Sequence, residues 1–176
     1  MARALALATV CLLAAALSST AGQGLFGAPP ANAPAASKPT DGAPAAPLQP
    51  GSPTAVVKPF YEHVGLELDP AQRSHFVDPA KSVLDKSDAL RKSGQGECLD
   101  PNMALDNAAY DRAEIDNSLK TVETVKGDEA KVIVAFVVAG TPHRLEWKFK
   151  KVDGDWKISD LLSGTGEWAL SQYQCE

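Results

Sequence analysis

The sequence predicts an α+β domain in which N-terminal helices pack on a curved antiparallel sheet that wraps them. In the first half of the domain, apolar residues recur every three or four positions, as on one face of a helix. In the second half, apolar and charged residues alternate, as in half-buried strands. No strand–helix–strand repeat is visible, which argues against a parallel sheet. The chain has 176 residues, so it holds one domain of ordinary size once its tails are set aside.

The first residues are typical of a secretory signal peptide. Arg3 precedes an uncharged and mostly apolar stretch, residues 4–17, and small residues lead up to Ala21. We expect cleavage after Ala21, so residues 1–21 are the predicted signal peptide and the mature chain is expected to be periplasmic or secreted. The alternative is an uncleaved anchor, which needs about 20 apolar residues to cross the hydrocarbon layer, and this stretch is shorter.

A Pro/Ala-rich segment follows the signal peptide. Eight Pro and eight Ala fill 16 of the 27 positions between residues 28 and 54, and none of the 27 is aromatic. Such a composition buries too little surface to order itself, so we predict a disordered linker over residues 22–53. The single α+β domain is then expected to span residues 54–176.

Two helices are predicted at the start of the domain. The first spans residues 56–64, and Pro59 within it predicts a late start or a bend, because proline removes a backbone hydrogen bond. The second begins at Asp78, a capping acid before a proline, and ends at Gly94. Asp69, also followed by a proline, marks another helix start. The apolar side of the second helix consists of Ala80, Val83, Leu84 and Leu90.

Four strands are predicted in the second half. The first spans residues 115–125 and turns at residues 126–128, and the second spans residues 129–139, whose dense Val, Ile and Phe content favours burial on both faces. Residues 144–150 alternate cleanly between apolar and charged. Gly154 then supplies the positive φ of a tight hairpin turn, after which Trp156 and Ile158 continue the fourth strand, and a short helix near Trp168, Leu170 and Tyr173 ends the chain.

Two cysteines remain after removal of the signal peptide. Cys11 leaves with it, so Cys98 and Cys175 are the cysteines of the mature chain. An exported chain meets an oxidising compartment, so we predict a disulfide between them, with two unrelated thiols as the alternative. The closed loop of about 78 residues gives a chain-entropy stabilisation of roughly 4–5 kcal/mol. A C-x-x-C spacing is absent, which argues against a catalytic dithiol.

The charge balance disfavours a nucleic-acid partner. The chain carries 17 basic and 22 acidic side chains, and removal of Arg3 with the signal peptide leaves a net charge of −6. No block of Lys or Arg offers the phosphate contacts that such binding needs.

The order of elements and three motifs resemble a known family. The motifs are F-Y-E-H-V at residues 60–64, the segment from Leu99 to Asp111, and D-G-D-W-K-I-S-D at residues 153–160. They resemble a family of small exported bacterial proteins, catalogued as a domain of unknown function within the cystatin-like, nuclear-transport-factor-2-like superfamily. The resemblance covers residues 54–162. It implies a cone-shaped sheet around a long helix, which hosts enzymes in some relatives and binding modules in others.

A few side chains are candidates for chemistry. In a proton-transfer enzyme of this superfamily, the catalytic groups would be Tyr61, His63 and Asp160. An open cone would offer a ligand pocket lined by aromatic residues, although aromatic residues on adjacent strands more often build a core. The pocket residues would be Tyr61, Trp147, Phe149 and Trp156.

Metal and cofactor sites are not predicted. His63, His75 and His143 lie 12 and 68 positions apart, whereas metal-binding pairs on one helix face are three to five apart. The acid-rich segment from Asp100 to Asp111 departs from the calcium-loop pattern, because Leu105 stands where that loop needs glycine. We expect no cofactor and no metal.

The sequence therefore favours binding over catalysis. We expect an exported, non-enzymatic interaction module of the bacterial cell envelope that recognises or neutralises another envelope protein. The alternative is a small proton-transfer enzyme, of isomerase or dehydratase type, with a cone-shaped pocket. No nucleic acid and no membrane span after cleavage are expected, and the sequence leaves a dimer through an edge strand open.

Overall fold

The computed structural model describes residues 49–176. The predicted signal peptide, residues 1–21, and the larger part of the predicted linker lie outside the described residues. Within residues 49–176, none of the helices has the length and apolar character needed to cross a membrane. The elements in chain order are α1 (Pro53–Val57), α2 (Pro59–Glu62), the 3₁₀ turns Leu66–Leu68 and Pro70–His75, α3 (Ala80–Ser93), the 3₁₀ turn Met103–Leu105, α4 (Arg112–Ser118), β1 (Lys120–Lys126), β2 (Glu129–Val138), β3 (Thr141–Val152), β4 (Asp155–Ser163) and the 3₁₀ turn Leu170–Gln172.

The four strands form one antiparallel sheet in the order β1-β2-β3-β4. Two residues connect each pair of strands, and every connection contains a glycine with positive φ, such as Gly127 at 62° and Gly154 at 90°. Such turns match the right-handed twist of the strands that they join, so neighbours in sequence become neighbours in the sheet. The predicted α+β class is confirmed, with helices before the sheet.

The first predicted helix is divided in two. Pro59 cannot donate the hydrogen bond that would continue α1, so α1 ends at Val57 and α2 begins at Pro59 itself. The body and the end of the second helix are confirmed, because α3 runs from Ala80 to Ser93 and ends on Gly94 at φ 75°, but its predicted cap is wrong, because Pro79 and not Asp78 is the N-cap. Asp69 caps a 3₁₀ turn rather than an α-helix and accepts a hydrogen bond from the Ala71 amide at 2.8 Å.

The prediction that the second strand is buried on both faces is wrong. Its burial alternates, so that Val132 and Val134 are fully buried while Val137 is 39% exposed. Along β2 and β3 only one face of the sheet is covered, whereas four consecutive residues of β4, Ile158 to Leu161, are buried. A continuous apolar run therefore does not identify a doubly buried strand when it belongs to a single layer of strands.

The core lies between the first helices and the inner face of the sheet. Phe60 on α2 stacks on Trp147 of β3 with ring centroids 5.0 Å apart, and Trp147 is fully buried. The Trp147 indole N–H donates to the Tyr61 hydroxyl at 2.9 Å. Pairs of large aromatic side chains like these supply much of the burial that holds the helices on the sheet.

The structure contains the predicted disulfide. Cys98 and Cys175 are bonded, with their Cα atoms 5.5 Å apart. The C-terminal segment that the bond ties down belongs to the core, because Leu170 is 2% and Cys175 is 5% exposed. The bond therefore anchors a segment that packs on the domain rather than a loose tail.

Candidate functional site

The structure does not bring the three candidate catalytic residues together. Tyr61 is buried, and this burial raises the pKa of its phenol far above the ordinary value. His63 is exposed just beyond the end of α2. Asp160 is buried elsewhere and accepts hydrogen bonds from the amide of Ser171 at 3.0 Å and its hydroxyl at 2.8 Å. The described side chains thus offer no joint acid–base site at these positions.

The candidate pocket residues mostly form the core. Tyr61, Trp147 and Phe149 are all at most 2% exposed, so their rings fill the space between the first helices and the sheet. Trp156 is only partly buried, and the Lys151 ammonium lies 5.4 Å from the centre of its ring. The aromatic side chains on adjacent strands are therefore packing residues and do not line an open cone.

A polar cluster around Asp106 was not predicted. The Asp106 side chain is only 5% exposed and lies 3.2 Å from Nδ1 of His143. One carboxylate oxygen accepts from the Trp168 indole N–H at 3.1 Å, and the other accepts from the Thr165 hydroxyl. His143 also stacks on Phe136. The residues come from distant parts of the sequence, and no local spacing connects them.

Electrostatics keep Asp106 ionised. Burial alone would raise the pKa of its carboxyl, but hydrogen bonds to the carboxylate outweigh burial and hold the pKa below its usual range. The backbone at this position is left-handed, with φ 55° at Asp106 and φ 58° at Asn107. The hydrogen-bond capacity of the carboxylate is used by the loop at residues 163–168, so the cluster fastens that loop to the domain. Its hydrogen-bonding partners are Thr165, His143 and Trp168.

Glu67 is a second buried carboxyl that the sequence did not single out. It is 2% exposed, and one of its oxygens accepts from the Ala104 amide at 2.9 Å. The other oxygen meets no hydrogen-bond partner. Burial raises the pKa of this carboxyl, which favours the neutral acid in the folded protein. Among residues 49–176, no three His, Cys, Asp or Glu side chains are grouped as metal ligands.

The outer face of the sheet, which points away from the helices, is strongly basic. It is formed by alternate residues of the four strands, which the strand register brings into rows. A row across the middle, for example, runs from Thr124 through Lys131 to Lys148. Seven cationic and four anionic side chains lie on this face, although the whole chain is acidic, and one of the anions is buried. The cations are Lys120, Lys126, Lys131, Arg144, Lys148, Lys150 and Lys157, and the anions are Glu129, Glu146, Asp155 and the buried Asp160.

Most of these cations have no ionic partner. Within the described part of the chain, Lys131 lies 3.9 Å from Glu146, and Lys157 lies 3.8 Å from Asp155. The other five form no ion pair with residues 49–176. Between the lysines lies a depression of about 460 Å³, lined by Thr124, Lys131, Lys148 and Ser159 among others. The face combines unpartnered positive charge with a concave surface.

The two edges of the sheet differ. Along β4, the Val77 amide donates to the Ile158 carbonyl at 2.9 Å, and the Ser163 amide donates to the Trp168 carbonyl at 2.9 Å. Along β1, all seven residues are exposed, and Val122 is 63% exposed. Among residues 49–176, β2 is the one strand that pairs with β1. The sheet thus has a covered edge and an open edge beside its basic outer face.

No protein-family model matches the chain, and no curated protein sequence matches it either. Two solved structures are similar to it. One is the type VI native effector-immunity complex Tae3-Tai3 from Ralstonia pickettii, with 20% identity over 70% of this chain and 99% of that chain and a TM-score of 0.46. The other is a phospholipid-binding protein from Ralstonia solanacearum in complex with a phospholipid, with 13% identity over 69% of this chain and 68% of that chain and a TM-score of 0.30. Similarities this low do not show what this chain does.

Proposed function

We propose that this chain is an exported, non-enzymatic binding module of the cell envelope that recognises, and thereby neutralises, another protein. The observation that carries the proposal is the outer face of the sheet, whose charged residues on β1, β2 and β3 are exposed or half-buried, and which holds seven cations against four anions, one of them buried. Charged surfaces of this kind steer a partner of opposite charge and set its orientation. The partner surface is accordingly acidic.

The location and family membership are parts of the same proposal. The disulfide between Cys98 and Cys175 supports an oxidising compartment, and the apolar stretch at residues 4–17 supports export. We also propose the cystatin-like cone and the resemblance carried by residues 153–160. The open four-stranded sheet with helices on one face is compatible with both.

The placement of the acidic side chains supports this choice of surface. The segment between α3 and β1 holds exposed acids such as Glu97, Asp100 and Asp111, whereas the outer face holds the excess of lysine. The net charge of the chain therefore averages two oppositely charged regions. A partner that responded to net charge alone would be basic, and a partner that docks on the outer face would be acidic.

The test is a capture experiment with matched charge changes. The mature chain, from residue 22, is immobilised and exposed to an envelope extract. It is compared with an outer-face variant, Lys131→Glu with Lys148→Glu and Lys150→Glu, and with a control on α3, Lys81→Glu with Lys86→Glu and Lys92→Glu. Both variants change the net charge equally.

The expected result is one acidic protein that the parent and the α3 control retain and the outer-face variant does not. Retention should weaken as salt is added, because the contacts are exposed. Equal retention by all three proteins, or loss from both variants alike, would reject the outer face as the binding surface. Turnover of a small molecule by the parent that is lost in Tyr61→Phe would favour the enzyme instead.

A further inference from the structure

We propose that β1 receives an extended, acidic segment of the partner as a fifth strand of the sheet. This inference rests on the proposed function and adds how the partner binds and what its segment looks like. Addition of a strand to an open edge gives affinity through main-chain hydrogen bonds and specificity through alternate side chains. The open edge and the basic outer face meet along β1, so one segment would contact both.

The turn between β1 and β2 indicates which backbone groups of β1 are open. Lys126 and Glu129 flank a two-residue turn, so they form a hydrogen-bonded pair across it. Hydrogen-bonded and outward-pointing residues alternate along an antiparallel strand. The N–H and C=O groups that point away from β2 are therefore those of Thr121, Glu123 and Val125.

These three residues are free to receive a strand. Each is exposed, and within residues 49–176 their backbone groups meet no hydrogen-bond donor or acceptor beyond β2. The Glu123 side chain is occupied, because its carboxylate accepts from the Thr54 amide at 2.9 Å and the Thr54 hydroxyl at 2.6 Å. That contact fixes the side chain on the inner side of the sheet and away from the open edge.

The side chains of β1 define the segment that fits. Lys120, Val122, Thr124 and Lys126 share the outer face, so a strand paired antiparallel to β1 would place its own alternate residues beside them. Acids opposite Lys120 and Lys126 and small apolar residues between them would complete the rows. Opposite charges placed directly across two strands stabilise the pair.

A second copy of this chain fits the edge less well. Two β1 strands paired antiparallel over their full length would place Lys120 opposite Lys126 at both ends. Like charges that face each other across strands are destabilising, and lysine at an edge strand is a common protection against such self-pairing. An acidic segment from another protein removes that repulsion.

The inference is tested with a synthetic probe. The probe is a seven-residue peptide, Glu-Thr-Val-Thr-Val-Thr-Glu with blocked termini, titrated against the mature chain. One control peptide carries lysine at both ends, and a second carries proline at its centre and keeps both glutamates. We expect the acidic peptide to bind about tenfold more tightly than the lysine peptide, and the proline peptide to bind no better than the lysine peptide.

Amide exchange then locates the bound peptide. The amides of Thr121, Glu123 and Val125 should exchange more slowly when the acidic peptide is present, whereas that of Thr124, already bonded to β2, should change little. Val125→Pro should fold like the parent, because proline is tolerated where an edge N–H faces solvent, and should lose the peptide. If Val125→Pro does not fold, amide exchange of the parent chain with and without the acidic peptide still shows whether the peptide pairs with β1.

Several outcomes would overturn strand addition. These are failure of every peptide to bind, equal binding of the proline peptide, binding without slower exchange at the three amides, or concentration-dependent self-association that protects them. None of these depends on the capture experiment. If the outer-face variant loses its partner while the amides stay unprotected, the proposed function stands and the strand inference fails.

Discussion

The two edge strands of the sheet, β1 and β4, differ in how their outward-pointing backbone groups are covered. Along β4, segments from before α3 and from the C-terminus pair with the strand, and Asp160 binds the amide and hydroxyl of Ser171. Along β1, all seven residues are exposed and the protection consists of charged side chains. The β4 edge is covered by other segments of the chain. The β1 edge is protected from self-pairing by its charged side chains, and the proposed acidic partner would not meet that repulsion.

The cover on β4 combines a segment far from the strand in the sequence with the segment that directly follows the strand. Phe76 bridges to Ile158, and Leu162 bridges to Ala169. The disulfide holds the C-terminal part of this cover, since Cys175 lies six residues after Ala169. The open edge is supported by its pairing with β2 and by the contact between Glu123 and Thr54. Changes near β4 should therefore strongly affect the stability of the whole domain, and changes on β1 should affect stability much less and act mainly on binding.

The largest effect is expected from loss of the disulfide. The double variant Cys98→Ser with Cys175→Ser should reduce the free energy of unfolding by about 4 kcal/mol, because the unfolded chain regains the entropy of a loop of 77 residues. Urea unfolding monitored by tryptophan fluorescence measures this loss. Faster amide exchange at Ser163 and Ser171 would show that the cover on β4 has loosened with it. Unchanged exchange there, at any loss of stability, would contradict the link between the bond and the covered edge.

A carboxylate at each edge allows a direct comparison. Asp160→Ala should cost about 2–3 kcal/mol, because a buried acceptor of three hydrogen bonds is lost, whereas Glu123→Ala should cost about 1 kcal/mol, because its contacts with Thr54 are partly exposed. Equilibrium unfolding of the two variants gives both values. Asp160→Asn, which keeps the shape and one acceptor oxygen, is the matched control and should fall between them. A larger loss from Glu123→Ala would reverse our view of which edge the fold depends on.

The covered edge could not be predicted from the sequence, whereas most of the elements could. Gly94 and the alternation over residues 144–150 act through local conformation and burial, which a window of residues contains. Phe76 and Ser171 cover β4 because the chain returns to the sheet from both directions, and no window of residues contains that information. The disulfide is the exception, because the predicted removal of Cys11 with the signal peptide leaves only two cysteines to pair.

The candidate site shows the same division. The sequence indicates Tyr61 and Trp147 as candidate pocket residues, but their roles depend on whether the space between helix and sheet is filled, and packing decides that. The Asp106 cluster joins residues up to 62 positions apart, so no spacing rule detects it. The basic face was hidden because net charge is a sum over the chain, and only the strand register separates its lysines from the acids elsewhere.

A smaller effect, confined to acid, is expected around the loop that follows β4. The pKa of Asp106 is lowered by its hydrogen bonds, so its contribution to stability is complete above the unfolded-state pKa and is lost as pH falls through the folded-state value. Asp106→Asn should remove this part of the acid dependence of the free energy of unfolding. The pKa of Glu67 is raised instead, so its contribution to stability is lost as pH rises through the folded-state value. Glu67→Gln should remove that part of the pH dependence. Identical pH profiles for the parent and both variants would contradict these assignments.

The smallest effect on stability is expected on the open edge itself. Val122 is 63% exposed, so Val122→Ala should change the free energy of unfolding by no more than about 0.5 kcal/mol. Val132 on the neighbouring strand is fully buried, and Val132→Ala, the matched control, should cost about 2 kcal/mol because it leaves a cavity. The acidic peptide should nevertheless bind Val122→Ala less tightly than the parent, since its valines pack beside that side chain. If instead the two alanine variants lose equal stability, Val122 is already covered in solution, and the edge that distinguishes β1 from β4 is not open.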